Sequence, residues 1–331
     1  MTAAKEFGVF LPVASGGWIV SRNTPVLDGG WPQNRDAAII ADEEGLDFVM
    51  SMGKWRGFGG DTDHWGRSLE SVTMMAGIAA LTKRVKIWAT LHAILHNPVV
   101  AAKTIATLDH ISEGRAILGI GGAWFEFEHT AHGIDFGSGF GQRLDWLDEA
   151  VAACRVLLDG GTVTSEPGAH YAFHELRHLP APVQQHMPIL IGGSGEKKTL
   201  RTIARYADMW NGMGTVELMR HKIEVLQGHC DAVGRDISEI EFTLGAKPII
   251  RDSQAEAERF WRANMERNKT PLDRVADDVT FWNGTPEQIA ERLAPYVELG
   301  FHHLLVEMPA PFDQETLERL MTEVKPLIER G

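Results

Sequence analysis

The sequence predicts a (β/α)8 barrel with a β-hairpin inserted before the fifth strand. Three observations carry that prediction. Short apolar runs bounded by glycine or proline alternate with helical stretches along the chain, the pattern of a parallel sheet whose connections are helices. Eight such runs can be counted, and 331 residues suit eight strand–helix units in a single domain over residues 1–331. Long loops rich in glycine and aromatic residues follow the first, second and fourth runs, and a barrel gathers such loops on the face where its strands end. A doubly wound open sheet is the alternative architecture.

Taken in order, residues 7–12 (FGVFLP) are the first strand, and residues 13–32 a loop carrying Trp18 and Trp31. Loops of about twenty residues are uncommon in compact domains, and many of them bind ligands. A helix over 33–44 ends at Gly45, as a C-cap would. The second strand, 46–50, leads into SMGKWRGFGGDTDHWGRS, residues 51–68. A helix over 69–81, a strand over 85–90 and a helix opened by Asn97-Pro98 and running to 111 come next. The fourth strand, 116–120, precedes another aromatic loop, and residues 143–159 form an amphipathic helix with Cys154 on its apolar face. Alternation around GAHYAFHEL, within 162–179, marks the hairpin. Strands follow over 189–191, 207–211, 241–250 and 302–307, with helices over 196–206, 216–233, 253–268, 286–299 and 315–328.

The segment 188–211, PILIGGSGEKKTLRTIARYADMWN, is a strand, a glycine turn and a helix start. Bare glycine backbone and the unpartnered first N–H groups of a helix make an anion cradle, with Lys197 and Lys198 adding positive charge. A tight turn without a ligand is the other reading of the same residues.

Composition excludes several classes. A formal net charge of -13 with no basic block disfavours nucleic acid or an anionic membrane as partner. Two cysteines, Cys154 and Cys230, are too few for a disulfide framework or a zinc site. No stretch approaches the ~20 apolar residues of a membrane-spanning helix, and the N-terminus lacks a signal-like apolar core, so a cytoplasmic location is expected. Ten tryptophans against three tyrosines suggest that some indoles line a pocket.

Three segments resemble the luciferase-like flavin-dependent monooxygenases: GRAILGIGGAWFEFEH (114–129), the glycine-turn segment 188–211, and GTPEQIAERLAPYVELGFHHLLV (284–306). With the helix from Arg143, the resemblance covers nearly the whole chain. In the N-terminal third, GGWIVS (16–21), SMGKWRGFGG (51–60) and LESVTMMAGIAALT are similar to the pyrimidine oxygenase and sulfone monooxygenase branch. Residues 114–235 look more like deazaflavin-dependent oxidoreductases. Many of those carry Asp-His after the second strand, where this chain has Gly53-Lys54, and that difference favours FMN.

The resemblance implies a two-component enzyme. Reduced FMN would come from a separate NAD(P)H-dependent flavin reductase and, with O2, oxygenate a small N-heterocyclic or organosulfur compound. A deazaflavin-dependent hydride transfer without O2 is the alternative, and a flavin-binding carrier without activity a third. A homo-oligomer, dimer or tetramer, is expected. Matched positions place Gly53 and Lys54 at the flavin ring, Glu128, Arg143 and Leu144 as further contacts, and Gly193, Ser194 and Gly195 at the phosphate. Lys54 and Arg56 are candidate donors to negative charge developing on oxygen, and His92 a candidate acid, base or substrate contact. Trp18, Trp55, Phe58, Trp65 and Trp124 are candidate pocket walls. Gly119 stands where the pyrimidine oxygenases carry asparagine. His129 and His132 are expected to be solvated loop residues, with no metal, and His302-His303 structural.

Overall fold

The computed structural model describes residues 5–12, 14, 28–59, 63–267, 278–308 and 312–330. Eight parallel strands close on themselves: β1 (Glu6–Phe10), β2 (Phe48–Met50), β3 (Lys86–His92), β4 (Ala116–Gly121), β7 (Ile189–Gly192), β8 (Met209–Gly212), β9 (Glu241–Ile250) and β11 (Phe301–Val306). The ring runs in chain order and closes where β9 pairs with β11, which pairs with β1. Antiparallel β5 (Thr162–Val163) and β6 (Leu176–Arg177) are the expected hairpin. β10 (Phe281–Gly284) is a strand that the sequence pattern did not reveal. It pairs with Lys247–Ile250, the second half of β9, beyond the Phe242–Ala246 stretch that faces β11. Its four residues, FWNG, hold too little apolar periodicity to stand out.

The helices are α1 (Trp31–Glu43), α2 (Ser71–Leu81), α3 (Pro98–Ile111), α4 (Glu126–Thr130), α5 (Phe140–Leu158), α6 (Thr199–Tyr206), α7 (Val216–Val233), α8 (Gln254–Arg267), α9 (Pro286–Glu298), α10 (Gln314–Arg319) and α11 (Lys325–Arg330). Local chemistry fixes several ends. Asn97 accepts the Val99 N–H at the start of α3. Thr285 and Gln288 form a capping box at α9. Gly234, at φ 70°, ends α7 in the left-handed conformation that suits glycine. Two expectations need correction. α6 begins at Thr199, because residues 196–198 are turns rather than helix. The last helix is interrupted by a π-helical segment, Leu320–Val324.

Side chains fill the barrel in two layers. Inside the ring, Phe48, Met50, Trp88, Ile117, Leu190, Met209 and Leu305 pack together, and the Phe48 and Trp88 rings stack at 3.7 Å. This fill makes the barrel a packed core rather than a channel. Between strands and helices lies the larger layer, including Ile78, Ile105, Leu147 and Leu200, and Cys154 is fully buried there as expected. At the N-terminal end of the strands His302 meets the Lys5 amine, while buried His303 sits 3.3 Å from both Glu6 and Glu241. Both histidines lie away from the strand C-termini, in keeping with a structural role.

Candidate active site

The loop after β2 is held in place by β3. Thr90 on β3 accepts the Gly53 N–H through Oγ1 at 2.8 Å and donates to the Ser51 carbonyl. A Cβ on Gly53 would press within 3.1 Å of the Leu91 backbone, so glycine lets the two backbones approach without either having to give. The next residue, Lys54, is turned inward and is 1% exposed. Its Nζ lies 3.2 Å from Glu128 Oε2 and over the rings of Phe125 at 4.5 Å and Trp124 at 4.7 Å. A desolvated ammonium needs such partners, and burial still holds the Lys54 pKa below its usual value.

Glu128, on α4, is the hub of this loop. Its Oε1 accepts the N–H groups of Trp55 at 2.5 Å and Arg56 at 3.1 Å, while Oε2 faces Lys54. His92 Nδ1 is 3.8 Å from the same Oε2. His129 contradicts the expectation of a solvated loop histidine: it is fully buried, donates from Nδ1 to Phe125 O, and leaves Nε2 buried without a partner. Placing it on α4, directly after Glu128, turns it under the loop; His132 is exposed as expected. His92, Glu128 and His129 bring one ligand atom each within 4.8 Å of one another. This set could ligate a cation, although the Lys54 ammonium already matches the carboxylate's charge.

A cavity of about 290 Å3 opens at the C-terminal ends of the strands. Lys54, Gly53, His92, Trp65 and Trp124 line it from one side. Asn211 at the end of β8 and Glu307 just past β11 line it from the strands that complete the ring. Glu307 was missed in the sequence because its acidic character is ordinary and only the closed barrel brings it here. It is 4% exposed, and burial pushes its pKa up to about 7, against the pull of Lys247 Nζ at 3.6 Å.

Other expected residues divide. The glycine turn leaves Gly193 at φ 110°, with the Trp210 indole N–H bonded to its carbonyl at 2.8 Å. Gly192, Gly193 and Gly195 are exposed and Ser194 half-buried. Lys198 does not add free charge to the turn, because its amine is bound to Asp145 at 2.7 Å and to Gly141 O. That bond ties the turn to the start of α5, where buried Arg143 stacks on Phe136 at 3.7 Å and Leu144 packs on Gly122. Arg56 departs from expectation: it is exposed, lies over the Phe127 ring at 4.7 Å and does not line the cavity. Its backbone, not its guanidinium, serves the site. Trp55 meets His96 and His132 edge-on instead of lining the cavity, and Phe58 packs behind Trp65 and Trp124. Trp18 lies outside the described residues.

Gly119 has a steric explanation. A Cβ there would sit 2.5 Å from the Thr90 methyl, so the space of an asparagine side chain is taken by the residue that positions Gly53. Gly119→Asn is expected to destabilise the fold by about 1–3 kcal/mol through overpacking, with Thr90→Ser restoring part of the loss; urea unfolding of the single and double variants measures both.

Burial also holds His64 and His92 down to about 4. Both are therefore neutral at pH 7, and because the same burial disfavours a charged imidazolium, His92 stands as a substrate contact rather than a proton carrier. Between about pH 6.5 and 4 the unfolded chain takes up protons that the folded chain refuses, so stability is lost as pH falls through that window. Glu307 works in the opposite sense, since its raised pKa favours the folded state as pH falls from about 7. His92→Asn should therefore lose about 2 kcal/mol less stability than the wild type between pH 7 and 4.5, read from urea midpoints.

Comparison with known proteins identifies the family. The family model described as luciferase-like monooxygenase matches residues 5–303. A pyrimidine monooxygenase, RutA, of Methylorubrum extorquens strain PA1 is 34% identical over 285 residues, covering 83% of this chain and 74% of that protein. Among solved structures, the EDTA monooxygenase EmoA of Chelativorans sp. BNC1 superposes with a TM-score of 0.80 at 13% identity, over 99% of this chain and 94% of that one. The coenzyme F420 dependent tetrahydromethanopterin reductase of Methanopyrus kandleri gives 0.73 at 17%, over 98% and 99%. At such identities the structures share the fold alone. The match over most of the chain, together with the RutA identity, places this chain in the luciferase-like monooxygenase family.

Proposed function

We propose that the chain is the oxygenase component of a two-component flavin-dependent monooxygenase, using reduced FMN from a separate NAD(P)H-dependent reductase, and O2, to oxygenate a small organic compound. The observation that carries this reading is the buried Lys54 ammonium at the cavity, fixed by Glu128 and walled by aromatic rings. The residues present fit a phosphorylated flavin. The exposed Gly193–Ser194–Gly195 turn presents bare backbone to an anion, and Arg143 keeps a buried Nε without a partner nearby on α5. Gly53 and the aromatic walls suit a flat ring.

Bound reduced FMN would supply the electrons that activate O2. The chain's part is electrostatic and steric. Lys54 Nζ holds positive charge where negative charge develops on oxygen, in a site dry enough to strengthen that interaction. Trp65 and Trp124 restrict water, and neutral His92 offers the substrate a polar contact from the cavity wall. Exposed Val100, Ile111 and Leu179, around a groove between α2 and α3, support a homo-oligomer.

The test is an anaerobic titration with reduced FMN and, separately, reduced deazaflavin, followed by mixing with oxygenated buffer. Micromolar binding of reduced FMN and an oxygen-dependent transient in its absorbance are expected. Binding of the deazaflavin alone, with no response to oxygen, would replace this reading with hydride transfer.

A further inference from the structure

Two histidines near Lys54 carry buried ring nitrogens without hydrogen-bond partners, His92 Nδ1 and His129 Nε2. They come from separate elements, His92 from the end of β3 and His129 from α4. Their rings are inclined by 23°, with centroids 5.5 Å apart. Glu128, beside His129 in the chain, brings its Oε2 to 3.8 Å from His92 Nδ1. Each of the three residues offers one ligand atom, and these atoms lie within 4.8 Å of one another. A buried nitrogen without a partner is costly, and two in one cluster need an explanation.

The cluster is held as a metal site is held. His129 Nδ1 donates to Phe125 O at 2.8 Å, which leaves the lone pair on Nε2 and fixes the ring. Glu128 Oε1 accepts the N–H groups of Trp55 and Arg56, so Oε2 is the oxygen left to face the cluster. Glu128 and His129 stand in the wall behind the cavity, and of the three only His92 also lines it. The sequence suggests no metal because nothing in the chain links His92 to α4. Pairing of β3 with β4 does, by setting His92 opposite Gly121 at the end of the strand that leads into α4.

We propose that His92, Glu128 and His129 form an inhibitory site for a divalent transition metal such as Zn2+, which competes with the Lys54 ammonium for Glu128 Oε2. Two imidazoles and one carboxylate suit zinc and its neighbours, whereas magnesium and calcium take oxygen ligands. Zinc bonds of about 2.0–2.2 Å set tetrahedral ligand atoms roughly 3.3–3.5 Å apart, so side-chain movements of about an ångström close the cluster. Lys54 Nζ lies 3.2 Å from the same Oε2, and a dication bonded to that oxygen repels it at short range. Glu128 Oε1 would still hold the loop, so the ammonium alone is displaced. Metal binding is independent of the monooxygenase reading; the loss of turnover rests on it.

The experiment titrates the full-length protein with Zn2+ against a chromophoric chelator, and with Co2+ followed by its visible absorbance. About one equivalent of zinc should bind at micromolar level or tighter, with cobalt bands of a four-coordinate site, and millimolar Mg2+ should not compete. His129→Leu should weaken zinc binding by about a hundredfold or more and abolish the cobalt bands. Lys54→Met should tighten zinc binding by about tenfold, a gain that misfolding does not produce. Zinc should stop wild-type oxygen uptake with half-inhibition at the measured Kd, reversibly on adding a chelator, and should not alter the uptake of His129→Leu. Unchanged zinc affinity in His129→Leu would overturn the proposal by placing the metal on surface histidines. Unchanged affinity in Lys54→Met would overturn it by showing that metal and ammonium do not share Glu128. So would zinc bound at this cluster with oxygen uptake unaffected. Zinc bound in the expected pattern by a protein that takes up no oxygen in any state would fail the monooxygenase reading and leave the site standing. Oxygen uptake with no zinc bound would do the reverse.

Discussion

Lys54→Met is expected to lower turnover by about a hundredfold or more while leaving FMN affinity within a few-fold of wild type. One preorganised donor in a dry site contributes on the order of 3 kcal/mol to a charge that develops during the reaction, and Lys54 is 1% exposed. Methionine has nearly the same length and suits the cage of Phe125 and Trp124, so packing is preserved. Glu128 would keep the N–H groups of Trp55 and Arg56. Arginine should not substitute, because its planar fork is larger than the ammonium that the cage surrounds. Single-turnover oxidation of substrate, measured beside FMN binding, separates the two effects. Turnover equal to wild type would remove Lys54 from the mechanism.

Glu128→Leu carries the largest expected stability effect. It strips the acceptor from a buried ammonium and from two backbone N–H groups at once. Breaking a buried pair from one side typically costs about 3–5 kcal/mol, so the urea midpoint should drop sharply. The double variant Lys54→Met/Glu128→Gln should recover most of that loss, because the charge is gone and an amide oxygen still accepts from the loop. A double-mutant cycle through Lys54→Met, Glu128→Gln and the pair should show coupling of at least about 1 kcal/mol. Additive effects would mean that Lys54 and Glu128 contribute separately.

Much of the fold is legible in the sequence. Strand β9 and helix α7 fall where the residue pattern puts them, Glu241–Ile250 and Val216–Val233. Their signals are local: apolar runs, a Thr215 cap, a Gly234 terminus. Where the sequence pattern failed, the deciding contact was distant. β10 exists because β9 continues past β11 and offers a free edge. α6 starts late because residues 196–198 form turns instead of a first helical turn.

The site divides along the same line. The sequence alone determined that glycine and aromatic loops share one face, that Gly53, Lys54 and the Gly193 turn stand on it, and that Cys154 is core. Tertiary structure alone decided which side chains work together. Lys54 and Glu128 are 74 residues apart, and nothing in either neighbourhood announces the other. Arg56 and Lys54 look alike as neighbouring cations, yet the loop turns Lys54 inward and Arg56 out. Thr90 fills the space beside Gly119, and Glu307 joins the cavity through the closing strand. Secondary structure is encoded in periodicity along the chain, whereas the burial, pairing and protonation of a side chain depend on groups that only the closed barrel brings into contact.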